Sequence, residues 1–91
     1  MNYSLIILPR AQKELSQLSS AAYARVRDAI RELAEDPRPP GCLRLIEREG
    51  WRLRVGDFRV VYEIDDKQRS VTVLQIGHRV DVYRQGGLPR G

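Results

Sequence analysis

Lysine is nearly missing from this chain. Of 16 basic residues in 91, only Lys13 and Lys67 are lysines and the rest are arginines, so almost every cation carries a planar fork that holds its charge at any physiological pH. Cysteine is scarcer still. The single Cys42 excludes an internal disulfide and a cysteine-built zinc site, and such a chain fits a reducing cytoplasm. Long apolar runs are absent. Leu5-Ile6-Ile7-Leu8 is too short for a signal-peptide core and far too short to cross a bilayer. There is no internal repeat, no low-complexity tract and no linker long enough to divide the chain, so residues 1–91 read as one domain with one modest core.

What is present is charge, with a basic excess. Charged residues make up 31% of the chain and the formal net charge is +4, which makes a polyanion a plausible partner. A bias toward arginine codons would give the same composition, so the pattern has to carry the argument.

Residues 2–8 read as a strand ended by Pro9, which opens a helix at the first-turn position that proline tolerates. Ala11, Leu15 and Leu18 follow at helical spacing, and Ser19 and Ser20 interrupt them while supplying an N-cap. In a second helix, Ala22, Val26, Ile30 and Leu33 line one stripe, with Arg25, Arg27, Asp28, Arg31, Glu32 and Glu35 mainly elsewhere. Asp36 and Pro37 stop it, and "DPRPPG" forms a stiff connector. The rest predicts an antiparallel meander over about 44–55, 58–64, 70–76 and 80–84, with turns at Gly56-Asp57 and at "DDKQR". The fold expected is α+β: an N-terminal strand, a helical hairpin, then a meander forming a small sheet with the helices on one face.

Register sorts the stretch "WRLRVGDFRVVYEI". With Gly56 and Asp57 as the loop, Val55 faces Phe58, Arg54 faces Arg59, Leu53 faces Val60 and Arg52 faces Val61. Trp51, Leu53, Val55, Phe58, Val60, Tyr62 and Ile64 then pack on the helices, and Arg52, Arg54 and Arg59 share the other face. Like charges opposed in a sheet cost about 0.2 to 1 kcal/mol per pair. RNA phosphate or an acidic protein segment would relieve that cost. A solvated face, partly neutralised by Glu63, is the plainer alternative. Further on, "IGHRVDVYR" gathers His78, Arg79 and Tyr83 after an apolar strand. His78 is the one histidine, the residue type that gives or takes a proton near neutral pH; Arg79 can hold phosphate or cap a strand, and Tyr83 can stack on a base or pack on the core.

"WRLRVGDFRVVYEI" followed by "VTVLQIGHRVDVY" resembles the RelE/ParE superfamily of toxins from type II toxin–antitoxin systems, and the RelE branch in particular. The resemblance runs from the first strand to the final tyrosine. It implies a toxin that enters the A site of the 70S ribosome and cuts mRNA there without a metal or other cofactor, blocking translation. The 2′-hydroxyl attacks the adjacent phosphorus and leaves a cyclic phosphate. By resemblance, Arg59 takes the transition-state position, Arg52 a basic position where the best-known members have lysine, Arg79 and Tyr83 the C-terminal catalytic positions, and Arg54 a backbone-phosphate position. Arg52 is a poor base because it stays protonated, so His78 is the first candidate to move the proton, with Glu63 or Glu49 as carboxylate alternatives. The resemblance also implies a cognate antitoxin from a neighbouring gene, covering the helical hairpin or the sheet edge, operator DNA bound only through that antitoxin, and no membrane partner. Two other readings stay open: a ParE-like poison of DNA gyrase, and a non-catalytic RNA- or protein-binding module.

Overall fold

The computed structural model describes residues 2–46 and 48–78. Its elements are β1 (Ser4–Ile7), α1 (Pro9–Ser16), α2 (Ser20–Leu33), β2 (Leu43–Arg44), β3 (Trp51–Val55), β4 (Phe58–Asp65) and β5 (Ser70–His78). The strands form one mixed sheet in the order β1-β5-β4-β3-β2. β2 to β5 are the expected meander, and β1 lies parallel to β5 with Ser4 beside Ser70 and Ile7 beside Val73. The expected strand at 80–84 lies outside the described residues. None of the described helices is long and apolar enough to cross a membrane.

Both helices start where their sequence dictates. Pro9 occupies the first turn of α1, and the Ser19 hydroxyl accepts a hydrogen bond from the Ala22 amide at 3.2 Å to cap α2. Their apolar stripes meet one face of the sheet: Ala11 and Leu15 from α1, Val26, Ile30 and Leu33 from α2, and Val60, Tyr62, Val71, Val73 and Ile76 from the strands form the buried cluster. The α+β layering is thus as the periodicity implies, with the apolar face of the β3–β4 hairpin against the helices.

One expected strand divides. Residues 44–55 read as continuous, yet the chain reverses between β2 and β3, closed by the Leu45 amide donating to the Gly50 carbonyl at 3.0 Å. Gly50 makes the reversal possible, since its φ of +132° suits no L side chain and a Cβ there would lie 3.2 Å from the Tyr62 carbonyl oxygen. Alternating sequence did not betray this, because the glycine sits inside an otherwise strand-like run.

The connector after α2 is fastened at two points. The buried Tyr62 hydroxyl donates to the Pro37 carbonyl at 2.8 Å, and Arg38 donates to Asp66 at 2.9 Å while lying over the Trp51 ring. Tyr62→Phe should cost about 1 to 3 kcal/mol in chemical denaturation, because the carbonyl loses its partner inside the protein. Asp66 also accepts from the Tyr3 hydroxyl at 2.7 Å. The Arg38 hydrogen bond, then that of Tyr3, holds the Asp66 carboxyl below its usual range. A depressed folded value means stability that is present above the unfolded carboxylate range, near pH 4, and lost as pH falls through the folded value. Asp66→Asn should flatten that acid-side decline, as read from denaturation midpoints over a pH series.

Candidate functional site

The basic face is built by the β3–β4 hairpin. Gly56, with a φ of +60°, and Asp57 make the two-residue turn, and the register is the expected one: Val55 opposite Phe58, Arg54 opposite Arg59, Leu53 opposite Val60, Arg52 opposite Val61. Strand alternation therefore puts Arg52, Arg54 and Arg59 together on the face turned away from the helices. On the other side of β4, Gly77 stands opposite Arg59, so no side chain from that position crowds the guanidinium. The arrangement concentrates fixed positive charge on donors in fork geometry, which suits a phosphate or a phosphorane.

This face is drier than a solvated sheet face. Val61 is 1% exposed and Gln75 8%, while Arg52 and Arg59 are half-buried, with Nε and Nη1 of Arg59 shielded from solvent; Arg54 is exposed. Partial burial strengthens the attraction of a guanidinium for an anion, because the effective dielectric falls. Glu63 lies on the same face, exposed and four residues beyond Arg59 on β4, and Glu49 is exposed in the β2–β3 loop. Among the described residues, no group of three or more His, Cys, Asp or Glu side chains gathers closely enough to hold a metal ion.

His78 is separated from the arginines by the sheet itself. The pairing of β4 with β5 shifts between Val61 and Tyr62, so that Val61 faces Gln75 while Tyr62 faces Val73, leaving Leu74 as an extra residue. Beyond that bulge the alternation is offset: Ile76 turns into the core and His78 pairs with Phe58 on the helix side, with ring centroids 5.9 Å apart and edge-on at 79°. The sequence motif placed His78 beside Arg79, and only the bulge decides which face it takes. Arg79 and Tyr83 lie outside the described residues.

Two contacts near the site have no signature in the sequence. Glu14 of α1 accepts a hydrogen bond from the Ile76 amide at 2.7 Å and from Arg10 at 3.0 Å, which ties the helix to β5 past the end of β1. Arg25 of α2 reaches the hairpin turn at Gly56. Both depend on how the helices settle over the sheet, and helical spacing alone marks these side chains only as polar.

Residues 5–83 match the family described as the ParE toxin of the type II toxin–antitoxin system parDE. Toxin RelG of Mycobacterium tuberculosis is 31% identical over 87 residues, covering 93% of this chain and all of that protein. Among solved structures, the archaeal RelE–RelB complex from Pyrococcus horikoshii gives a TM-score of 0.78 at 27% identity, over 87% of this chain and 97% of that one. The isolated E. coli RelE toxin gives 0.71 at 27% identity, over 92% and 94%. The RelBE2 toxin–antitoxin complex of M. tuberculosis gives 0.74 at 28%, over 87% and 100%. With the matched family spanning both helices, the described strands and the arginine hairpin, and with RelE toxins sharing the fold, this chain belongs to the RelE/ParE superfamily of type II toxin–antitoxin toxins.

Proposed function

We propose that this toxin is a ribosome-dependent mRNA endonuclease of the RelE type, cutting message in the A site by attack of a ribose 2′-hydroxyl on the adjacent phosphorus. The observation that carries the reading is the convergence of Arg52, Arg54 and Arg59 on one partly dry face of the β3–β4 hairpin. As the phosphorane forms, Arg59 and Arg52 balance its growing negative charge and Arg54 holds a neighbouring backbone phosphate. The ribosome aligns the message, which removes much of the entropic part of the barrier. Arg79 and Tyr83 complete the set through the family resemblance.

Proton transfer is the part the arginines do not supply, since a guanidinium is always protonated. His78 is the first candidate by chemistry, but its position beside Phe58 turns it from the arginine face. His78→Ala should therefore change the cleavage rate at neutral pH by less than about tenfold, below the usual contribution of a general acid or base. A fall beyond a hundredfold together with an altered pH profile would return the imidazole to the mechanism.

The decisive assay programs ribosomes with a message and an empty A site, then adds the toxin. Cut message ending in a 2′,3′-cyclic phosphate supports the reading. Intact message with inhibited DNA gyrase supports instead a gyrase poison, a second reading that the ParE description of the matched family keeps in play. In either case the partner is a cognate antitoxin, as for the RelE–RelB complex of P. horikoshii. Apolar residues of that partner would cover exposed side chains such as Leu43 and Ile46 at the β2 edge, with acidic residues beside them neutralising the arginine face of the sheet away from the hairpin tip. The site of action is the cytoplasm, where the ribosomes are.

A further inference from the structure

Gly56 lies between two guanidinium groups that come from different parts of the chain. Arg54 donates its Nε–H to the Gly56 carbonyl at 3.3 Å. From α2, Arg25 reaches the same residue, so that a Cβ at Gly56 would stand 3.0 Å from its Nη2, 3.4 Å from Cζ and 3.7 Å from Nη1. Those distances lay the whole guanidinium against the turn. Arg25 and Arg54 are both exposed, and neither forms an ion pair among the described residues. Asp28, one helical turn from Arg25, is engaged by Arg27 at 3.1 Å. With Arg59 directly across from Arg54, three cations surround a two-residue turn whose only carboxylate is the exposed Asp57.

The ligand that fits is a chain of phosphates. Arg25 carries the positive surface from the arginine face around the hairpin tip to the helix side, which is the shape a phosphodiester strand follows and a single anion does not need. An acidic peptide fits less well. Among the described residues the exposed large apolar side chains are Ile6, Leu8, Tyr23, Leu43 and Ile46, none of them in the hairpin, and Tyr23 is two residues from Arg25, a spacing that points elsewhere on a helix. Protein partners bind through such apolar anchors.

We propose that Arg25 is a further RNA-positioning residue, gripping with Arg54 a backbone phosphate that flanks the one cleaved and leading the strand around the turn. This rests on the endonuclease reading, and the test separates the two. Binding of a short single-stranded RNA is followed by fluorescence anisotropy through a salt series, for the unmodified toxin, Arg25→Ala and Arg25→Lys. Arg25→Ala should weaken binding about three- to tenfold at low salt and make the slope of log K against log salt shallower by about 0.7, the loss of one phosphate contact to a single strand, while Arg25→Lys keeps most of the slope. Thermal unfolding should be unchanged, since Arg25 is exposed. An unchanged slope in Arg25→Ala, or no measurable RNA binding by the unmodified toxin, overturns the proposal. So does a loss of antitoxin affinity in Arg25→Ala with RNA binding intact, which would give the surface to the protein partner. If programmed ribosomes yield uncut message while the RNA slope still depends on Arg25, the endonuclease reading falls and the RNA contact stands.

Discussion

Arg59→Ala should lower mRNA cleavage on programmed ribosomes by at least about a hundredfold while the protein stays folded. The loss is large because Arg59 is preorganised. Its strand is paired on both sides, with Arg54 across on β3 and Gly77 across on β5, and its Nε and Nη1 are shielded from water. A donor held in that way needs no reorganisation as charge develops, and its attraction for a phosphorane exceeds that of a mobile surface cation. Thermal unfolding checks that the variant stays folded; against whatever contacts the side chain loses, removing one of two opposed arginines relieves about 0.2 to 1 kcal/mol of repulsion. Arg59→Lys is the sharper control: it keeps the charge and loses the bidentate fork, so it should recover only part of the rate. Cleavage at the full rate in Arg59→Ala would remove this residue from the site, and an unfolded variant would make it structural.

The second large effect concerns the helix stripe. Leu33→Ala should cost about 2 to 5 kcal/mol, the range for truncating a buried leucine in a packed core. Leu33 is wholly buried at the end of α2, inside the cluster that joins both helices to β4 and β5, and the helix has little room to collapse into the space left behind. In a domain of this size that loss should lower the melting temperature by roughly 10 °C or more. Leu43→Ala supplies the contrast. Leu43 is 54% exposed on the two-residue edge strand, and its truncation should leave the melting temperature within a few degrees of the original. Equal losses at the two positions would contradict the core drawn from the burial pattern.

These two positions differ in how visible they were. Leu33 belongs to a stripe with Val26 and Ile30 that a spacing of three and four residues already displays. Arg59 was legible twice over: through the Gly-Asp turn, which sets the hairpin register, and through the family motif. The separation of β2 from β3 was not legible, because it hangs on the single positive-φ glycine at 50. Nor was the parallel pairing of β1 with β5, which joins strands far apart in the chain and leaves no local mark.

The sequence by itself determined the two helices, the hairpin, the face on which three arginines gather, and the superfamily, because each follows from local periodicity, turn chemistry or a contiguous motif. Tertiary structure alone decided which other groups lie beside that face and which turn from it. The extra residue at Leu74 offsets the alternation of β5 and turns His78 toward Phe58, away from Arg59. The seating of α2 over the sheet brings Arg25 to Gly56, from thirty-one positions earlier in the chain. The physical reason is common to both. A side chain's face within one strand or helix is fixed by backbone geometry a few residues long, whereas its neighbours across elements depend on a bulge or a packing offset for which the local residues carry no code.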